Sequence, residues 1–89
     1  MKRVIAIESF KNNVCRLYGE GEYIGDKELS EGYLKDTGIK NACIKLDSGK
    51  YIWGYQCWWM DIDTFNKKYK SYAHEFVTVE IDEDIKPKE

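Results

Sequence analysis

Residues 42–59 read ACIKLDSGKYIWGYQCWW, and this stretch decides the fold class. Residues 42–46 are apolar apart from one lysine, and residues 50–59 are rich in aromatic side chains. The Asp-Ser-Gly between them, at 47–49, ends in glycine, which is typical of a β-hairpin with a type I turn and a G1 bulge. The stretch therefore predicts two antiparallel strands joined by a tight turn.

Alternation along a strand divides the side chains of this hairpin between two faces. The predicted turn pairs Ile44 with Ile52, and we expect their aliphatic face to point into the core. That face holds Ile44, Leu46, Ile52 and Trp58, and the opposite face holds Tyr51, Trp53, Tyr55, Cys57 and Trp59. Two interpretations of the aromatic face stay open: it is covered and belongs to the core, or it is exposed and recognises a ligand or a partner.

The rest of the chain predicts three more strands. Residues 2–8 and 14–24 read as strands on either side of an asparagine-containing turn. The second strand is expected to bend near 19–21, because the Gly-Glu-Gly found there is typical of a bulge. Residues 76–81 alternate in character and predict a closing strand.

A helix is predicted near 61–72, with Asp61 or Asp63 available as its N-cap. Apolar side chains recur there at helical spacing, which places them on one stripe. The stripe consists of Ile62, Phe65, Tyr69 and Tyr72. Residues 27–36 leave two alternatives, a second short helix and an ordered loop, because Gly32 lowers the helix propensity of that segment.

These elements predict an α+β, mostly β fold, with two alternatives for its sheet. One is an SH3-like partial β-barrel, and the other is a curled antiparallel sheet of about five strands. Residues 1–82 are expected to form a single domain, and residues 83–89 a charged tail that frays. The predicted core consists of Val4, Ile5, Ile7, Leu17, Ile44, Leu46, Ile52, Phe65, Val77 and Val79.

Residues 44–54 carry the pattern apolar-x-Leu-Asp-x-Gly-x-x-x-x-Gly, which begins at Ile44 and ends at Gly54. This stretch resembles the central hairpin of SH3-like small β-barrels, the Tudor and KOW kind included. The resemblance implies a module that binds peptides, modified side chains or nucleic acid through exposed aromatic side chains and loops. The predicted helix near 61–72 departs from that family, whose barrels have a single 3-10 turn at this place.

Composition and charge disfavour several classes of function. The chain has 89 residues, 14 basic and 16 acidic side chains, and a formal net charge of -2. Nearly balanced charge gives no general attraction to nucleic acid or to an anionic membrane. The longest apolar runs have four residues, as at 4–7, far fewer than the roughly 20 that span a bilayer. The N-terminus also lacks the apolar segment of a secretory signal.

The cysteines and the single histidine are the candidates for metal or nucleophile chemistry. Cys15, Cys43, Cys57 and His74 make a Cys₃His set by count, but they are separated by 28, 14 and 17 positions. Structural zinc sites pair their ligands at short spacing, so we predict no metal, no cofactor and no enzyme activity. An odd number of cysteines without close spacing also argues against a disulfide framework. We therefore expect reduced thiols and a cytoplasmic protein.

The sequence thus predicts a small non-enzymatic binding or adaptor module for a protein or peptide partner, with a homodimer as a variant and no membrane association. Its expected binding surface comprises Tyr51, Trp53, Tyr55 and Trp59, joined by Tyr18 and Tyr23. One alternative is an accessory protein of phage or another mobile element that inhibits a host protein. The other is single-stranded nucleic-acid binding, with Lys67, Lys68 and Lys70 on the phosphates, which the net acidity disfavours.

Overall fold

The computed structural model describes residues 2–88. Its elements in chain order are β1 (Lys2–Lys11), β2 (Val14–Lys27), β3 (Asn41–Leu46), β4 (Tyr51–Trp53), β5 (Trp58–Asp61), α1 (Ile62–Lys68), a 3-10 turn (Lys70–Tyr72) and β6 (Glu75–Thr78). The α+β, mostly β class is confirmed. The segment near 27–36 is irregular beyond the end of β2, because Gly32 and Asp36 take positive φ values of 90° and 61°.

All six strands belong to one sheet with the order β4-β3-β2-β1-β5. Every neighbour pair along that path is antiparallel. The sixth strand, β6, lies beside the first part of β2 and runs parallel to it, with Val14 opposite Glu75 and Leu17 opposite Thr78. The sheet is open, since β4 and β5 end the path and do not pair with each other within residues 2–88.

The parallel pairing of β6 follows from the helix before it. Asp61 ends β5 and caps α1, its carboxylate accepting hydrogen bonds from the backbone N–H groups of Asp63 and Thr64 at 2.8 and 3.4 Å. The helical segment returns the chain to the β1–β2 turn, where the N–H of His74 donates to the carbonyl of Asn13 at 2.7 Å. Because β2 also starts there, β6 runs in the same direction, as in other helix crossovers.

The central hairpin has the predicted register. Ile44 pairs with Ile52, the N–H of Leu46 donates to the carbonyl of Lys50 at 2.8 Å, and Gly49 takes a φ of 95°. The second strand is shorter than predicted, because it ends at Trp53 instead of continuing to residue 59. The side-chain carbonyl of Gln56 accepts from the N–H of Trp53 at 2.9 Å, which forms a turn between β4 and β5.

The bend predicted at residues 19–21 is confirmed. Gly19 has a φ of 132°, and the pairing of β1 with β2 slips on either side of Ile7. Gly21 lies between Val4 on one neighbouring strand and Leu46 on the other. A side chain at Gly21 would collide with the backbone of β3, since an added Cβ would lie 2.4 Å from the carbonyl oxygen of Lys45.

The core consists of three clusters of buried residues. The hairpin cluster holds Val4, Ala6, Ile44, Leu46 and Ile52; the helix cluster holds Ile5, Ile7, Cys15 and Phe65; the tail cluster holds Leu29, Cys43, Trp53 and Ile85. β1 supplies both of the first two clusters, because its alternate side chains face opposite sides of the sheet. Of the predicted core, Leu17, Val77 and Val79 are only half-buried, and the other members are buried.

The C-terminal segment packs against the domain instead of fraying. Ile85 is buried, and Leu29 forms an isolated antiparallel bridge with Pro87. The backbone N–H of Ser30 donates to the carbonyl of Lys86 at 3.1 Å. One isoleucine in a charged sequence is enough to dock the segment, because the backbone around it also finds hydrogen-bond partners.

Candidate functional site

The predicted aromatic surface does not form as one surface. Trp53 is fully buried in the tail cluster, and its indole Nε1 donates to the carbonyl oxygen of Ile85 at 2.8 Å. Tyr51 is half-buried against the same cluster. The assignment of Trp53 to a binding surface is therefore wrong, because residues 28–34 and the C-terminal segment cover the face of the hairpin that carries it.

The other members of the predicted surface lie in two further places. Trp59 stacks on Tyr23 with ring centroids 5.1 Å apart, and both pack with Tyr18 against the hairpin cluster. Tyr55 lies in the turn after β4 and is exposed, in an edge-to-face contact with Tyr33. The turn at 54–57 interrupts the alternation of faces, so Trp59 packs against the hairpin cluster and does not share the face that carries Tyr51 and Trp53.

A different set of aromatic side chains does converge. An apolar groove of about 350 Å³ lies between α1 and the edge strand β5. Its lining consists of Ile7, Phe10, Trp58, Met60, Phe65, Tyr69 and Tyr72. This volume is at the lower end of the range for ligand pockets in proteins, so the groove suits a few apolar side chains.

The strand pairing and the helical stripe explain why the groove forms. Trp58 lies opposite Ile7 in the β5–β1 pair, with Met60 two residues further along β5. Trp58 and Met60 therefore share the sheet face on which α1 packs. Phe65 lies on α1 and is buried in the helix cluster, whereas Tyr69 is the C-cap of α1 and Tyr72 ends the 3-10 turn that follows. The two tyrosines extend the wall beyond the sheet.

Trp58 and Tyr72 are unusually exposed for large aromatic side chains. Trp58 is 68% exposed and Tyr72 is 64% exposed, on opposite walls of the groove. Tyr69 is also exposed. Scattered apolar side chains are ordinary on protein surfaces, whereas several large ones around one concavity mark an interaction site.

The pattern of the hairpin predicts Trp58 on its core face, and this prediction is wrong. It followed from extending one uninterrupted strand from residue 50 to residue 59. Gly54 is the sequence signal for a break, since a glycine inside a strand pattern often marks a bulge or a tight bend, and β4 ends at Trp53, just before it. Restarting the alternation after this glycine would have separated Trp58 from the core face of the hairpin.

The three thiols lie in three different places. Cys15 belongs to the helix cluster and Cys43 to the tail cluster, whereas Cys57 packs against the hairpin cluster. Burial raises the pKa of Cys43 to about 11 and that of Cys57 to about 12, and it also raises the pKa of Cys15. Burial therefore disfavours the thiolate that nucleophilic catalysis or metal binding requires. Within residues 2–88, no three His, Cys, Asp or Glu side chains are grouped to hold a metal ion.

The raised pKa of the half-buried Cys57 predicts a loss of stability at alkaline pH. The pKa of Cys57 rises from 9.0 to about 12 on folding, so the folded state holds this proton more tightly than the unfolded state. The protonated Cys57 thiol makes its full contribution to the free energy of unfolding below about pH 9. This contribution is lost as the pH rises toward 12. We expect the free energy of unfolding, measured with urea, to fall less steeply above about pH 9 in Cys57→Ala than in the parent chain. If the free energy of unfolding falls equally steeply with pH in both proteins, the assignment of the raised pKa to Cys57 is contradicted.

No family model, curated protein or solved structure matches this chain. Among residues 2–88, no helix combines the length and the hydropathy needed to cross a membrane.

Proposed function

We propose that this chain is a non-enzymatic binding module that holds an apolar segment of a protein or peptide partner in the groove between α1 and β5. The observation that carries the proposal is the convergence of Trp58, Tyr69 and Tyr72 as exposed side chains on one apolar concavity. Tryptophan and tyrosine are enriched among the residues that dominate binding energy at protein interfaces. This surface replaces the one predicted from the hairpin.

The exposed area is large enough to contribute useful affinity. Trp58 is 68% exposed, and covering that part of a tryptophan side chain yields about 3 to 4 kcal/mol at about 25 cal/mol per Å². Association has its own entropic cost, so one such side chain does not suffice for tight binding. The neighbouring Tyr69 and Tyr72 supply further apolar area on the facing wall.

Two other features agree with this proposal. The raised pKa values of Cys43 and Cys57 disfavour thiolate chemistry, which supports a binding role over a catalytic one. Three free cysteines, of which Cys15 and Cys43 are fully buried, suit a reducing compartment such as the cytoplasm. The resemblance of the 44–54 hairpin to SH3-like barrels stays a prediction, and a peptide-binding role is consistent with it.

A random peptide library tests the proposal. Phage-displayed peptides of about 12 residues, long enough to span the groove in extended form, are selected on the parent chain and measured against Trp58→Ala and Tyr33→Ala. Tyr33 is a matched control, because it is 78% exposed and does not line the groove. We expect the selected peptides to lose about thirtyfold or more in affinity for Trp58→Ala, which corresponds to a hot spot of about 2 kcal/mol.

The same peptides should bind Tyr33→Ala with the affinity of the parent chain. Both variants should melt close to the parent, since each removes an exposed side chain. A library that yields no binder, or binders that are indifferent to Trp58, would contradict the proposal.

A further inference from the structure

Positive charge borders the groove along one wall. The lysine ridge, Lys67, Lys68 and Lys70, lies on the last turn of α1 and in the 3-10 turn that follows. All three side chains are exposed. None of them has a carboxylate within 4.0 Å among residues 2–88. The lysine ridge is therefore free to pair with charges on another molecule.

Two members of the lysine ridge, Lys68 and Lys70, stand between two apolar hollows, whereas Lys67 lies two positions from Phe65 and faces away from the groove. Lys68 follows Phe65 by three positions on the helix and precedes Tyr69, so it lies beside the groove. Lys70 lines a second, smaller hollow of about 220 Å³ on the other side of Phe65, together with the exposed Phe76. Glu20 lines this second hollow too, and its carboxylate pairs with Arg3 at 3.6 Å. Cations thus alternate with apolar surface across this side of the domain.

We propose that the groove binds an acidic amphipathic segment of a protein partner, with its large apolar side chains in the groove and its carboxylates against the lysine ridge. This inference rests on the proposed function and specifies the partner of the same site. Complementary charge at the rim of an interface selects the partner and accelerates association, whereas the apolar contacts supply most of the affinity. A basic segment would meet the lysine ridge with like charge and be rejected.

The structure favours this occupant over nucleic acid. The facing wall, β5, reads Trp58-Trp59-Met60-Asp61 and carries no cation. A nucleic-acid strand requires cations along its phosphates, and here they stand on one side only. The floor of the groove is formed by Ile7 and Phe65, which suit inserted apolar side chains better than stacked bases.

The structure also favours a different protein over a second copy of this chain. A two-fold dimer presents the same patch from both subunits. A two-fold axis that runs across the groove would bring the two lysine ridges face to face, and like charges across an interface oppose association. An acidic segment from another protein removes this repulsion.

The test compares two charge reversals of equal size. Lys68→Glu/Lys70→Glu alters the lysine ridge, and Lys35→Glu/Lys40→Glu changes two exposed lysines outside the groove by the same net charge. Peptides selected on the parent chain should be enriched in Asp and Glu beside large apolar residues, compared with the unselected library. We expect their affinity to fall about tenfold for the first variant and to stay unchanged for the second.

Salt gives an independent readout on the parent chain. Raising the ionic strength to about 1 M shortens the Debye length to about 3 Å, so binding of the acidic peptides should weaken while the dependence on Trp58 persists. Selected peptides that need Trp58 but show no acidic enrichment would overturn this inference and leave the proposed function standing. Peptides that do not need Trp58 would overturn both.

Two further outcomes would replace the acidic partner with another occupant. A thymidine oligonucleotide that displaces the peptides at lower concentration than they bind would assign the groove to single-stranded nucleic acid. Light scattering that shows a dimer abolished by Trp58→Ala would assign it to a second copy. Either result overturns the inference.

Discussion

Replacing Gly21 with alanine is expected to remove a large part of the domain's stability or to unfold it. The added Cβ would lie 2.4 Å from the carbonyl oxygen of Lys45 and 2.8 Å from the Cα of Leu46. Both atoms belong to the backbone of β3, which cannot move without breaking its pairing with β2 or β4. An overlap of this kind costs about 4 kcal/mol or more, against a total stability of about 5 to 13 kcal/mol for a chain of this length.

Gly38→Ala is the control for Gly21→Ala. Gly38 has a φ of 77°, and an added Cβ there meets no atom within 4 Å. Its substitution therefore carries only the backbone strain of a positive φ, about 1 kcal/mol. Chemical denaturation of both variants measures the difference directly. A Gly21→Ala protein as stable as Gly38→Ala would show that β2 and β3 do not approach each other this closely.

Replacing Trp53 with alanine is expected to cost about 4 to 6 kcal/mol of unfolding free energy. Truncating a fully buried tryptophan leaves a cavity that alone costs about 3 to 5 kcal/mol. The carbonyl oxygen of Ile85 also loses the indole N–H that donates to it at 2.8 Å, and an unpaired buried acceptor adds about 1 to 3 kcal/mol. The cavity cost and the cost of the unpaired acceptor do not add fully, because the Ile85 carbonyl reaches water when the C-terminal segment detaches.

Trp58→Ala is the matched control, since it removes the same side chain from an exposed position. We expect a change within about 0.5 kcal/mol. Trp53→Phe keeps an aromatic ring and removes the indole N–H, so it should cost less than Trp53→Ala. Denaturant unfolding of Trp53→Ala, Trp53→Phe and Trp58→Ala measures the three changes in unfolding free energy. Equal losses for Trp53→Ala and Trp58→Ala would contradict the assignment of one tryptophan to the core and the other to the groove.

Local patterns in the sequence predicted the elements well. The Asp-Ser-Gly turn established the register that pairs Ile44 with Ile52. The apolar stripe together with Asp61 predicted the helix, although α1 ends at Lys68 and a 3-10 turn takes the place of its predicted last turn. These features depend on side chains that are near one another in sequence, such as the Asp61 carboxylate and the backbone N–H of Asp63. Local geometry of this kind is largely independent of how the rest of the chain folds.

The candidate site was not predicted, because it depends on contacts between distant segments. Trp58 faces α1 only because β5 pairs with β1 at the edge of the sheet. Trp53 is buried only because Ile85, 32 positions later in the chain, packs against it. Alternation within one strand does not reveal which face another segment covers, and the break at Gly54 exchanged the faces of Trp58 and Trp59 relative to the prediction.

The location of the partner can be measured directly through the indole N–H groups. In a ¹⁵N NMR titration with a selected peptide, the three tryptophans give separate reporters for the groove, the tail cluster and the contact with Tyr23. We expect the Nε1–H resonance of Trp58 to shift or broaden in proportion to occupancy, while that of Trp53, bonded to Ile85, stays in place. A peptide that binds and shifts the Trp53 or Trp59 resonance but leaves Trp58 unchanged would contradict the assignment of the binding site to the groove.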